Sequence, residues 1–347
     1  MGSGRKTRKK ESTSVTLKSV ADYVGLTPGT VSAVLNDAPS ARSIPEHTKK
    51  RIHAAALDLN YRPNFFARTL RKKRTYTIGI IAEEIGDAYS SMVISGIEAY
   101  LRQRNYFFLT VIHRHDLKLL QRYSDMLIDR GVEGFITVDT SLQDAPSLPT
   151  VAVAGHKELK GVTNIVLDHE RAAHVALEHL AELGHRRIAF MRGQNVSSDS
   201  ADRWKAICTV AQKIGLTIDP QLVIQLELDD PSPHLGYPYA KELLARNKPF
   251  TALFAYNDIS AIGAIRAFQE RALRIPEDIS VVGFDDIQFA AFNTPSLTTV
   301  RQPLAKMGQI AAETLLARIE EQREAQAEIA IEPTLVVRES SGPVRAA

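Results

Sequence analysis

The polar residues best equipped for chemistry stand at the ends of apolar runs. Asn257-Asp258 close the run ALFAY and open a helical stretch, while Asp285-Asp286 close SVVGF. Arg203 stands near the start of another helical stretch, after the run RIAFM and the loop SSDSAD. Carboxylates, a carboxamide and a guanidinium suit a small polar ligand such as a sugar, a sugar acid or a nucleobase. Catalysis would need more: a nucleophile with its base, or a carboxylate pair at mechanistic spacing. The chain has no G-x-S-x-G elbow, no H-E-x-x-H and no plausible triad, so no enzyme is expected. No glycine-rich phosphate loop follows an apolar run, so no nucleotide cofactor is expected either. His113 and His115 alternate within one strand-like segment and would share a face, but no third ligand is evident and no metal is expected. His185 reads as structural. Asp258 reads equally as a helix cap. The single cysteine, Cys208, excludes an internal disulfide and reads as a small buried hydrophobe.

Charge is distributed unevenly along the 347 residues. Residues 1–74 carry 16 Lys and Arg against 5 Asp and Glu, a balance of +11, leaving −8 for the remainder. A basic front on an acidic body implies that the front meets a polyanion, and nucleic acid fits best. No apolar run reaches the ~18 residues of a membrane span. The N-terminus, GSGRKTRKKESTS, lacks an apolar secretory segment, so a cytoplasmic protein is expected.

Behind these residues lie elements that the periodicity makes explicit. Leu17, Val20, Ala21 and Val24 form one helical stripe, which Gly25 should end as a C-cap. Thr27 then caps a helix over about Pro28–Leu35, with Pro28 at its first position and Val31, Val34 and Leu35 inward. A third helix, starting at Pro45, carries Ile52, Ala55, Ala56 and Leu59 at the same spacing. Two short helices around a tight turn, completed by a third, describe a helix-turn-helix unit. The following NFFARTLRKKR is too short to hold a helix alone in water.

From Thr77 on, apolar runs alternate with amphipathic helical stretches. Thr77–Ala82, Phe107–Val111, Gly134–Val138, Thr150–Val153, Arg187–Met191, Ala252–Tyr256 and Ser280–Phe284 read as buried parallel strands. Helical stretches near 91–103, 116–130, 169–183, 200–214, 238–246, 258–270 and 303–323 separate most of them. That alternation predicts parallel sheets flanked by helices, and the strand number predicts two lobes.

Leu17–Asn36 (LKSVADYVGLTPGTVSAVLN) and Leu59–Asn64 (LNYRPN) resemble the head and hinge junction of the lactose/galactose repressor family. The resemblance continues through LAELGHRRIAFM, YNDISAIG, SVVGFDD and PSLTTVRQ, covering nearly the whole chain after its first fourteen residues. It implies an N-terminal all-α helix-turn-helix head and an α/β body of two periplasmic-binding-protein-like lobes with parallel sheets. In such a head, Pro28, Gly29 and Ala33 would face base edges, with Thr27, Thr30, Ser32 and Asn36 on phosphates or the head's own turn. Many members carry arginine where Ala33 stands; an alanine methyl can pack on a thymine methyl instead. The basic segment would be a hinge helix capped by Asn64, with Arg68 on DNA and Leu70 wedged into the minor groove. In the body, Arg203 and Asp285 would grip an effector, with Asn257 and Gln302 beside them and Tyr89 as an aromatic wall. The family's Asn-Pro-aromatic turn is replaced here by Asp87-Ala88-Tyr89-Ser90.

The expected organisation is a basic tail over 1–14, disordered by composition, a DNA-binding domain over 15–62 and a hinge over 63–75. An effector-binding and dimerisation domain over 76–347 follows, with lobe crossovers near 175, 298 and 330. The expected function is a ligand-responsive transcription regulator, a dimeric repressor of a near-palindromic operator controlled by a sugar or derivative. The alternative is a soluble sugar-binding protein without a DNA role, which should begin with a signal peptide and lack the basic head.

Overall fold

The computed structural model describes residues 15–62, 73–155, 157–195, 197–227 and 230–345, without the side chain of Ser198. Asn64, Arg68 and Leu70 therefore lie outside the described residues. The chain divides into two units, Met1–Arg74 and Thr75–Ala347.

The head consists of α1 (Leu17–Val24), α2 (Pro28–Leu35) and α3 (Glu46–Asp58), with a 3-10 turn at Pro39–Ser43. Thr16 caps α1 in a reciprocal box with Ser19, and Gly25 ends it at φ 65°, a left-handed conformation that glycine adopts without Cβ strain. Thr27 caps α2 by accepting from the Thr30 amide at 3.2 Å, with Pro28 at the first position. Arg51 of α3 donates to the Val24 carbonyl at 3.0 Å, satisfying an end of α1 that has no helical partner. Val20, Ala21, Val31, Val34, Ile52 and Ala55 close a small core. Fully burying a side chain such as Val31 or Ile52 contributes roughly 1.5–3 kcal/mol, so a unit this small depends on every one. Ala33 corrects an expectation: it is 8% exposed and belongs to this core. It shares that core with Val34, which leaves it little surface to offer a base.

The body holds two six-stranded sheets. The first runs β11-β5-β4-β3-β1-β2 and the second β12-β10-β9-β8-β6-β7. In the first lobe the strands are β1 (Thr77–Ala82), β2 (Phe107–Ile112), β3 (Phe135–Val138), β4 (Thr150–Val153), β5 (Val162–Leu167) and β11 (Glu328–Ile331). Its helices are α4 (Ala88–Gln103), α5 (Leu117–Asp129) and α11 (Leu304–Glu321). The second lobe has β6 (Ile188–Arg192), β7 (Val223–Gln225), β8 (Ala252–Phe254), β9 (Ser280–Asp285), β10 (Thr298–Arg301) and β12 (Thr334–Val336). Its helices are α6 (His169–Glu182), α7 (Ser198–Lys213), α8 (Tyr237–Ala245), α9 (Asp258–Gln269) and α10 (Gln288–Phe292). Every described pairing is parallel except β10 with β12. Helices on both faces explain why β1, TIGIIA, is buried at all six positions instead of alternating.

The chain passes between lobes at Asp168, Gln302-Pro303 and Glu332-Pro333. The first passage falls earlier than the expected 175, because α6 already packs in the second lobe. Ala172, Ala176, Leu177 and Leu180 share a core with Ile188, Phe190 and Phe254. The second falls later than 298, since β10 stays paired with β9 through Arg301. The Asp168 amide donates to the Ile331 carbonyl at 2.9 Å, joining the first and third passages. Among the described residues no helix is long and apolar enough to cross a membrane.

A candidate effector cleft between the lobes

Both sheets point the carboxyl ends of parallel strands at one cleft, the usual place for a ligand in open α/β sheets. Glu83 follows β1, Asp139 follows β3, Tyr256 follows β8 and Asp285 ends β9, and all four line it. Tyr89 enters from the first turn of α4, whose start Asp87 caps by accepting from the Ser90 amide at 2.6 Å. The sequence Asp-Ala-Tyr-Ser thus begins a helix here, which fixes Tyr89 as a wall residue.

Arg203, on α7, is nearly buried. One turn earlier Asp199 accepts an ion-paired hydrogen bond from its Nη2, and its Nη1 donates to the Tyr256 carbonyl at 2.7 Å. The guanidinium lies 3.8 Å from the Phe284 ring centre and 4.6 Å from that of Tyr256. Burial works against its charge, but Asp199, Tyr256 and Asp285 outweigh burial and hold its pKa above the ordinary value. Its Nε is buried without a partner among the described residues.

Asp285, on the same lobe, also lines the cleft, at 6% exposure, with φ 108°, a conformation that costs a non-glycine residue of order 1–3 kcal/mol. Gln302 Nε2 donates to its Oδ1 at 2.6 Å, leaving Oδ2 without a hydrogen-bond partner among the described residues. Burial pushes the Asp285 carboxyl well up, against the opposing pull of Arg203. Gln302 is itself buried and does not line the cleft, so it acts through Asp285. Arg203 and Asp285 make no ion pair with each other; the partner of Arg203 is Asp199.

Asn257 lines the cleft and caps α9, its Oδ1 accepting from the Ser260 amide at 2.9 Å. Asp258 is fully buried beneath, accepting from Thr299 Oγ1 at 2.6 Å and the Ile287 amide at 2.8 Å. Burial pushes it up to about 7. Its role is structural: it ties β10 and the end of β9 to α9.

Tyr256 and Asp199 were not anticipated as site residues. Tyr256 was counted into an apolar strand, although β8 stops at Phe254. Its hydroxyl meets Ser197 Oγ at 2.9 Å, and a Cβ on Gly193 would strike its ring. Asp199 could have been found from its i, i+4 spacing to Arg203. The histidine pair is also corrected. β2 ends at Ile112, and Arg114 and His115 take φ 46° and 59°. The chain turns, so His113 is buried against Thr140 while His115 reaches the cleft 2.5 Å from Glu83. Among the described residues no three His, Cys, Asp or Glu side chains could hold a metal. His185 is buried between Thr251 at 2.9 Å and Ser280 at 3.0 Å, a structural position. Cys208, within α7, is half-buried, more open than expected.

In the head, Thr27, Pro28 and Gly29 are exposed, with Thr30, Ser32 and Asn36 half-buried. Asn36 Nδ2 donates to the Ser32 carbonyl at 2.8 Å, closing the end of α2. A threonine-capped, proline-started helix end exposes the kind of surface that meets phosphate oxygens.

A helix-turn-helix head joined to a two-lobed cleft defines a ligand-sensing DNA-binding protein. Residues 16–64 match the family described as bacterial regulatory proteins, lacI family, and residues 177–341 match a periplasmic binding protein-like domain. The HTH-type transcriptional repressor PurR of Pectobacterium atrosepticum is 32% identical, over 95% of this chain and 98% of the relative. The ribose operon repressor of Haemophilus influenzae is 29% identical, over 94% and 98%. A crystal structure of the lac repressor dimer bound to operator and the anti-inducer ONPF superposes with a TM-score of 0.84, at 26% identity, covering 95% of this chain and 99% of that one. The chain belongs to the LacI family of bacterial regulatory proteins. It is a DNA-binding transcription regulator and not an enzyme, and the reading as a binding protein without a DNA role falls.

Proposed function

We propose that this protein is a cytoplasmic homodimeric repressor of a near-palindromic operator, released when a small polyhydroxylated molecule enters the interlobe cleft. One observation carries the ligand reading. Arg203 keeps an unpartnered donor, Nε, and Asp285 an unpartnered acceptor, Oδ2, and both residues line the same cleft. A hydroxyl both accepts and donates, and can engage both groups. Tyr89 and Tyr256 supply apolar faces for a sugar ring, with Asn257 at the edge. Two copies of the head would read the half-sites through the exposed start of α2, from Thr27 to Thr30. Asn64, Arg68 and Leu70 would bind and bend the centre, as cations flanking an apolar wedge do in minor-groove benders.

The test is selection of duplexes from a random pool, followed by a screen of sugars for release. A near-palindrome should be enriched and bound at least about a thousandfold more tightly than competitor DNA. One or more sugars should release it. Arg203→Ala should keep operator binding and abolish release. Failure to enrich any duplex, or an unchanged response in Arg203→Ala, sinks this reading.

A further inference from the structure

The start of α2 carries little equipment for hydrogen bonding to bases. Residues 27–35, TPGTVSAVL, include no arginine, lysine, carboxamide or carboxylate, the side chains that grip a base pair through paired or charged bonds. Val31, Ala33 and Val34 belong to the head's core, and Leu35 packs against it. Asn36 Nδ2 donates to the Ser32 carbonyl at 2.8 Å and to its Oγ at 3.3 Å. Thr27 and Thr30 meet Oγ1 to Oγ1 at 2.9 Å, and Thr27 Oγ1 also accepts from the Thr30 amide. A hydroxyl both donates and accepts, so it fits either kind of base edge and discriminates poorly. Pro28 and Gly29 remain, both exposed. Pro28 offers an apolar ring without an N–H. Beyond its immediate neighbours, a Cβ on Gly29 would approach only Thr27 Oγ1, at 3.8 Å, so the space over this glycine is open.

We infer that each half-site is read chiefly through thymine methyl groups, packed on the Pro28 ring and received in the open space at Gly29. This rests on the reading of the α2 start as the surface that meets base edges. The thymine 5-methyl is the apolar group that a base pair displays in the major groove, and hydrogen-bonding edges make up the rest. An apolar ring buries a methyl favourably. A donor or acceptor edge covered by the same ring loses water without gaining a partner. G·C pairs under α2 are therefore rejected by desolvation, and T·A is told from A·T by the strand that bears the methyl.

The experiment uses the full chain and the duplex selected from the random pool. Each half-site thymine is replaced singly by deoxyuridine, which removes only the methyl. Each half-site purine is replaced by its 7-deaza form, which removes the N7 acceptor. Deoxyuridine should weaken binding about fourfold at positions under α2, the worth of one buried methyl group. The 7-deaza forms should cost less than about twofold. Where a C·G pair replaces a sensitive T·A pair, 5-methylcytosine should bind about fourfold more tightly than cytosine, because it restores the methyl. Pro28→Ser should shrink the deoxyuridine penalty below about twofold. A variant that acted only through folding would weaken the parent and deoxyuridine duplexes equally. Deoxyuridine without effect at every half-site position, or a 7-deazapurine that costs about tenfold, overturns this inference while the operator reading stands. If no duplex is enriched, both fall.

Discussion

His113 shows how one buried ring can set a pH limit. The Thr140 hydroxyl donates to the Val138 carbonyl at 2.9 Å, so toward His113 Nε2, 3.0 Å away, it accepts. The ring's proton is therefore on Nε2, and Nδ1 is buried with no partner for a second. Burial, with His115 and against Asp116, lowers its pKa from 6.5 to about 4. Between those values the unfolded chain binds a proton that the native chain refuses, so stability is full above pH 6.5 and falls toward pH 4. Burial shifts His179 and His185 in the same direction. Denaturant unfolding at pH 7 and pH 5 should show a loss on the order of 1 kcal/mol attributable to His113. His113→Gln should flatten that part of the profile, and an unchanged slope would remove His113 from it. Legibility at this scale followed chain geometry. Arg203, Asn257 and Asp285 could be read because polar residues just past apolar runs reach a cleft. Ala33 could not, since its burial depends on neighbouring helices, and His115 could not, since two left-handed residues undo strand alternation.

Among the elements, β2 departs from its neighbours. It is the edge of the first sheet and none of its six residues is buried, with Phe107 65% exposed, while β1, β3, β4 and β5 are buried throughout. The second lobe shows Phe289 and Phe292 on α10, the latter 86% exposed. An uncovered apolar edge is an aggregation hazard unless something covers it, and a second copy of this chain is the proposed cover. Phe107→Glu should convert dimer to monomer in sedimentation velocity with little change in melting temperature. It should also weaken operator binding by at least tenfold. A variant that remains dimeric would place the interface elsewhere. Most elements were legible, because caps and glycines mark helix ends and apolar runs mark buried strands. β5, β7, β10, β11 and α10 were not, and β5 and β11 show why. Thr163 and Asn164 break the apolar run of β5, and β11 is an edge of only four residues, EIAI, half exposed. Both earn their place through pairing with each other, in register from Asn164 opposite Glu328 to Leu167 opposite Ile331. Single-segment periodicity cannot show that.

For the whole molecule, the decisive quantity is the charge contrast of +11 over residues 1–74 against −8 over the rest. A head that binds through phosphates releases condensed counterions, so affinity must fall steeply with salt, by a logarithmic slope near −0.9 per phosphate neutralised. Raising salt from 50 to 200 mM should weaken both specific and non-specific binding on the order of a thousandfold if about six contacts form. Leu70→Ala should behave differently. Leucine neutralises no phosphate, so the salt slope should stay as in the parent. An apolar wedge acts only where the duplex can be kinked, so specific affinity should drop by at least tenfold while competitor binding barely changes. Anisotropy titrations of the selected operator and a scrambled duplex, each at three salt concentrations, separate the two effects. Equal losses on both duplexes would make residues 63–75 a basic tether and leave sequence discrimination to the start of α2.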